Sequence, residues 1–244
     1  FFAWYGKGSP ETSSLNACIV KADSINKLSG DRLCNEMLKL LIAKNPIKSI
    51  KLMADTGVLS ILLPGINGCG VLHDLLSLEV ITHDDVLDDP ILRLAALIQG
   101  SSILPEVVSR RLNFSQKREG QLLSLCTDLN KLTPSEFELH SKVLFYNLGT
   151  NSSLANIFLN WAIDGGVKSP NIDGWFNLYN NYKCWERPVF PINGKDIIKL
   201  GIPSGVSVGS YLKILENWWV GRDFLPSRKE LLDKLKILID KENN

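Results

Sequence analysis

Residues 190–219 read FPINGKDIIKLGIPSGVSVGSYLKILENWW, with glycines at 194, 201, 205 and 209. Gly194 and Lys195 precede Asp196, whose carboxylate is expected to cap the exposed amides at the start of a short helix through Ile197, Ile198, Lys199 and Leu200. Gly201 closes that helix, since the residue there commonly needs a positive φ that glycine reaches without a Cβ clash, and Pro203 blocks continuation. Ser204 is then expected to cap a longer helix, with Val208, Leu212, Leu215 and Trp219 along one buried face. A short helix, a tight turn and a longer helix fit two readings: a packed helical hairpin, or a helix pair that binds nucleic acid.

The same helical grammar runs through the rest of the chain. Ser9 and Pro10 open a first helix with an apolar stripe of Leu15, Cys18, Ile19, Ala22 and Ile25. Ser29 opens a second, with Leu33, Met37, Leu40 and Leu41 on one face, closed by Asn45-Pro46. Ile91 to Ile98 is apolar and helical, Ser115 caps a helix, Ser152 or Ser153 starts another, and 133–136 and 227–230 have the capping-box form. No segment sustains the period-two alternation of a strand, so the fold class is all-α. Soft boundaries near Pro46 and Arg187 divide it into 1–46, 47–186 and 187–244.

Composition narrows the class. The chain has 244 residues, 45% hydrophobic content and a formal net charge of +1, enough apolar material for a core and neutral on the question of nucleic acid. No apolar run approaches the ~20 residues that cross a bilayer, so no membrane partner is expected. The five cysteines are scattered and odd in number, which points to a reducing, cytoplasmic setting without disulfides or zinc. The chain begins FFAWY without methionine and reads as a piece of a longer protein, its aromatic start prone to association.

Three stretches resemble the class II tRNA nucleotidyltransferases and poly(A) polymerases of bacteria, the CCA-adding enzyme family. The first is the opening run, F-P-I-x-G-x-D-I-I-x-x-G-I-x-x-G-x-x-V-G with E-x-W-W and Asp223-Phe224 after it. The second, LSGDRLCNEMLKLL from Leu28, is similar to the family motif I-S-x-E-R-I-x-x-E-L that follows the nucleotide-selecting neck helix, with Asp31 where the family usually has Glu. The third is Met53 to Gly65, and RRLNFSQKRE from Arg110 is similar to the family's body region. The resemblance implies neck, body and tail regions over the three divisions, with the catalytic α/β head absent. It also implies that Arg32 and Glu36 support the nucleotide pocket in a polar network; the spacing alone equally suits a surface ion pair.

Candidate site residues follow. Arg110, Arg111, Lys117 and Arg118 form a cationic cluster, and cations in a helix's first turn oppose its dipole unless an anion answers them. An RNA phosphate is one answer; an ordinary solvated basic corner is the other reading. Lys195 and the amides of Gly205, Val206 and Ser207 form a second candidate phosphate site. The aromatics Trp175, Phe176, Tyr179, Tyr182 and Trp185 fit a core or a base-stacking surface, and His140 reads as a packed or satisfied histidine rather than a catalyst. The acids at 84–89 read as a solvated loop. His73-Asp74 and His83-Asp84-Asp85 invite a metal phosphohydrolase reading, but three histidines do not assemble a full ligand set, so no metal site is assigned.

The resemblance implies a tRNA-binding portion that positions the acceptor arm for a head domain on a separate part or chain. The family's G-G-x-V-R-D and D-x-D signatures and its E-D-x-x-R motif have no match here, so the chain has no catalytic residue and binds no cofactor itself, the parent enzyme using Mg2+ with ATP and CTP. Alternatives are the RNA-binding region of a poly(A) polymerase, or a helical protein-interaction scaffold with no RNA partner.

Overall fold

A computed structural model of the chain describes residues 1–66, 68–126 and 132–242, the last two of these by backbone only. Among the described residues the structure is helical, without strands, and no helix is long and apolar enough to cross a membrane. Two compact units divide the chain, one of residues Phe1–Phe137 and Leu154–Lys183, the other of Glu138–Ser153 and everything from Cys184 on.

The first unit holds helices α1 (Phe2–Tyr5), α2 (Thr12–Val20), α3 (Gly30–Leu41), α4 (Pro46–Asp55), α5 (Val58–Leu62), α6 (Gly70–Ser77), α7 (Glu79–Thr82), α8 (Pro90–Ile98), α9 (Pro105–Arg111) and α10 (Gln116–Leu125). It also contains the start of α11 (Pro134–Leu148), most of α12 (Thr150–Ile163) and α13 (Ile172–Lys183). Its centre is α8. Every residue from Ile91 to Ile98 is buried, because α3, α6 and α10 all pack on it, and an all-round apolar helix is stable only when enclosed in this way. Arg93 is buried among them. Its guanidinium donates to the carbonyls of Leu87 (2.7 Å) and Leu41 (2.9 Å) and to the carboxylates of Glu79 and Asp88 (both 2.7 Å). The aromatics of α13 are core: Trp175, Tyr179 and Tyr182 are buried, and Phe137 meets Trp175 edge-on at 6.1 Å.

Several local expectations are corrected. The first helix begins at Thr12, not Pro10, and gives way to a 3₁₀ segment over Ala22–Lys27; its stripe is open, with Cys18 and Ile19 exposed and Leu15 half-buried. At the amino end Trp4 donates to the Lys39 carbonyl (2.9 Å) and Lys48 lies over Phe2, while Phe1 and Tyr5 remain exposed. The acids at 84–89 are not a free loop. Asp84 caps a 3₁₀ turn over Asp85–Asp88 and accepts from the Tyr179 hydroxyl (2.9 Å), Asp88 binds Arg93, and Asp89 caps α8. His140 is exposed rather than packed, and α12 starts at Thr150 after a left-handed Gly149.

The second unit builds its core from Tyr146 of α11 with α14 (Gly194–Ile198), α15 (Val206–Val220) and α16 (Arg228–Glu242). Ile197, Leu215, Trp219, Leu231 and Leu235 are buried there. The α16 capping box closes as expected, Ser227 and Glu230 exchanging side chain and amide.

Candidate nucleic-acid interface

The cationic segment owes its position to α3. Ser29 caps that helix, its hydroxyl accepting from the Arg32 amide at 3.4 Å, and Gly30 follows where nothing larger fits. A Cβ on Gly30 would lie 2.7 Å from Asn113 Cβ and 3.2 Å from the Arg111 carbonyl. The corner between α9 and α10 therefore rests directly on the α3 amino terminus. Asn113 turns that corner in the left-handed region (φ 49°), which asparagine tolerates better than most residues, and its amide donates to Asp31 at 3.0 Å. Asp31, the departure from the family motif, thus serves as the corner's acceptor.

The cations around this junction are held by neutral groups. Arg111 donates to the Leu62 carbonyl (3.3 Å) and the Asn26 side chain (2.8 Å), Arg118 to the Cys34 sulfur (3.5 Å), and Arg110 to the Glu106 carbonyl (3.4 Å). Burial pushes the Cys34 thiol up, against the opposing charge of Arg118, so this acceptor stays neutral too. Lys117 is exposed in the first turn of α10, where Ser115 caps the helix as expected. Arg32 and Glu36 are both exposed, and no hydrogen bond or ion pair joins them. Among the described residues, the ion pairs involve none of Arg32, Arg110, Arg111, Lys117 or Arg118. Five cations on α3, α9 and α10 thus have no carboxylate within ion-pair distance, although Asp31 stands at the same corner as the acceptor of Asn113.

In the second unit the cap is not Asp196. Asn193 caps α14 and Asp196 closes the box from the third helical position, accepting the Asn193 amide at 3.0 Å. It is buried, and both guanidinium nitrogens of Arg228 reach it at 2.6 and 2.9 Å. Those hydrogen bonds hold its carboxyl below the usual range. Ser204 is not the α15 cap either. Gly205 occupies that position at φ 146°, without a side-chain bond to the amides, so the exposed first turn begins at Val206 and Ser207. Lys195 is exposed, and its neighbour Gly194 lies close to that first turn, where an added Cβ would come 3.3 Å from Val208.

Residues 9–69 match a family model described as "Probable RNA and SrmB- binding site of polymerase A". Nearly the whole chain aligns with the mitochondrial CCA tRNA nucleotidyltransferase 1 of Danio rerio (23% identical, 96% of this chain and 54% of the relative) and of Homo sapiens (25%, 97% and 54%). A solved complex of a CCA-adding enzyme with CTP superposes with TM-score 0.54 at 18% identity, covering 94% of this chain and 56% of that one. The chain is similar to a helical part of the CCA-adding enzymes. It spans about half the length of the curated relatives it matches.

The matched segment contains α3 and both inter-helix acceptors of Arg111, Asn26 and Leu62. The cationic corner, which lies outside that segment, docks on it. Sequence reasoning missed Asn113, Asn26 and Gly30 as the parts that hold the corner. One signal was present for Asn113, an asparagine two residues past a helix end, where left-handed residues collect. Nothing local pointed to Asn26.

Proposed function

We propose that this chain is the tRNA-gripping portion of a CCA-adding nucleotidyltransferase, holding the acceptor arm or elbow while a separate head transfers nucleotides to the 3′ end. The observation that carries the reading is the α3–α9–α10 junction, where arginines are fixed by neutral acceptors and keep their full charge for phosphate. Lys195 and the first turn of α15 offer a second phosphate site, and Arg32 and Glu36 stand on α3 where the head's nucleotide pocket would be supported.

The chain by itself carries out no transfer in this reading. Its sequence has no G-G-x-V-R-D or D-x-D run, and among the described residues no group of three His, Cys, Asp or Glu is placed to hold a metal. In this reading Mg2+, with ATP and CTP, would be held by the head. A second reading, the RNA-binding region of a poly(A) polymerase, is favoured by the wording of the matched family model.

The test is the salt dependence of binding to tRNA. Replacing Arg110, Arg111, Lys117 and Arg118 by Ala is expected to lower the log-log slope by roughly 0.7 to 0.9 for every phosphate that is no longer neutralised, with helicity intact. An unchanged slope would make the junction a solvated corner. No binding by the parent chain would favour a protein scaffold, and incorporation of ATP or CTP by the chain alone would overturn the division of labour.

A further inference from the structure

The last turn of α15 carries a second cationic feature, separate from the helix junction of the first unit. Trp219 points into the core, and its neighbour Trp218 is only half-buried. Arg222 sits with its guanidinium carbon 4.9 Å from the Trp218 ring centre, and the Lys234 ammonium from α16 lies 5.8 Å from the same centre. Acids surround these two cations in sequence, and their short contacts go elsewhere, although the Glu230 carboxyl, held low chiefly by its Ser227 hydrogen bonds, also feels the Arg222 charge. Asp223 bridges to Lys142 at 3.3 Å, Asp233 to Lys236 at 3.2 Å, and Glu230 accepts from the Ser227 hydroxyl and amide at 2.6 and 2.8 Å. Among the described residues, neither Arg222 nor Lys234 has an ion-pair partner.

The backbone beyond Arg222 is held in an unfavourable form. Asp223 and Phe224 are consecutive non-glycine residues at φ 56° and 64°, a conformation that persists only where the surroundings enforce it. Here Phe224 is pinned by its N–H, which donates to the Trp219 carbonyl (3.0 Å), and by ring contacts with Trp219 (5.1 Å) and Tyr146 (5.3 Å). The turn fixes the backbone immediately after Arg222, whose guanidinium lies over the indole. A guanidinium ordered on a ring presents its outer face as a flat, cationic platform, and a nearby ammonium adds a point charge.

We propose that the Trp218–Arg222–Lys234 stack receives an unpaired nucleotide of the bound RNA, the base lying on the outer face of the Arg222 guanidinium and the adjoining phosphate meeting Lys234. This rests on the RNA-binding reading and deepens it: the first unit takes phosphates of any sequence, and the second unit selects RNA that offers an unstacked base.

The experiment uses the full chain with the surface variants Arg222→Lys, Arg222→Gln and Lys234→Gln, each checked for an unchanged melting temperature. The probes are tRNA, a short single-stranded oligouridylate and a fully paired RNA duplex. Arg222→Lys keeps the charge and removes the plane. It is expected to weaken tRNA and oligouridylate binding about fivefold while leaving duplex binding and the salt slope unchanged. The double variant Arg222→Gln with Lys234→Gln is expected to lower the slope as well, by roughly 0.7 to 0.9 for each phosphate left without its cation. Arg222→Lys binding oligouridylate as tightly as the parent overturns the stack. Equal losses for duplex and single strand would reduce the patch to plain charge and overturn it too, as would binding of an acidic protein that survives Arg222→Lys but not Arg222→Gln. If these variants do nothing while the four-cation junction variant loses tRNA, this inference fails and the functional reading stands. If the parent chain binds no RNA, both fail.

Discussion

Residues 84–89 carry Asp84, Asp85, Asp88 and Asp89, and residues 110–118 carry Arg110, Arg111, Lys117 and Arg118. As sequence, both are short charged runs between helices, and both invite the same bland reading of a solvated turn. In the fold they part company. Three of the acids are taken up by structure: helix-start amides at Asp84 and Asp89, and the buried Arg93 at Asp88. The arginines are just as well placed, but by carbonyls, an amide oxygen and a thiol, none of which cancels charge. The lesson is that partner type, more than exposure, separates a structural charge from one left over for a ligand.

The widest test of that contrast is Arg93→Met. Removing the guanidinium leaves the Leu41 and Leu87 carbonyls without a donor inside the unit, and a loss of roughly 3 kcal/mol is expected from the urea midpoint. A loss within the scatter of surface substitutions would break the claim that this charge is structural. Gly30→Ala comes next. It touches no charge, yet its methyl would meet Asn113 Cβ at 2.7 Å, so overpacking of about 1 to 3 kcal/mol or a displaced corner should follow. Weaker tRNA binding by this variant, with all five cations present, would sharpen the comparison by showing that their placement matters; unchanged affinity would show that it does not.

The second unit contains a structural charge of its own in Asp196. Because Arg228 depresses its folded-state pKa, the carboxylate's contribution is fully present above the ordinary carboxylate range and is lost as pH falls through the lowered value. The melting temperature of the parent chain should exceed that of Asp196→Asn at neutral pH, and the gap should close in acid below about pH 4. A gap independent of pH would mean that the ion pair with Arg228 contributes nothing.

The smallest effect is expected for Ser207→Glu at the start of α15. With Gly205 as the cap, no capping box forms with Ser204, and the gain is the dipole term alone, roughly 0.3 to 1 kcal/mol. If the exposed amides there hold a phosphate, tRNA binding should weaken while the melting temperature holds or rises. A joint rise in both would leave RNA binding to the first unit.

Much of the local structure was legible. The boxes at Thr133–Glu136 and Ser227–Glu230 close as their residue types dictate, Ser29 and Ser115 cap their helices, and the aromatics of α13 are largely core. The turn at 193–207 misled because several polar residues compete for each cap. Asn193 reaches the first amides while Asp196, three residues on, is drawn to Arg228, and an exposed glycine replaces Ser204. The α2 stripe misled for another reason: periodicity records which residues share a face, and says nothing of whether that face finds a partner.

What the sequence by itself determined is what acts over one or two helical turns: the all-α class, most helix starts and the apolar faces, because caps and periodicity are properties of near neighbours. What only the tertiary structure decided is which charges meet. Asp31 and Asn113 are 82 residues apart, Cys34 and Arg118 84, and Asn26 and Arg111 85. Those pairings exist because α3 and α10 both pack on the enclosed helix α8, which brings the α3 amino terminus under the α9–α10 corner. Coulombic and hydrogen-bonding partners act within a few ångströms whatever their separation along the chain, so the buried, neutralised arginine and the unneutralised ones can be told apart only once the helices are packed.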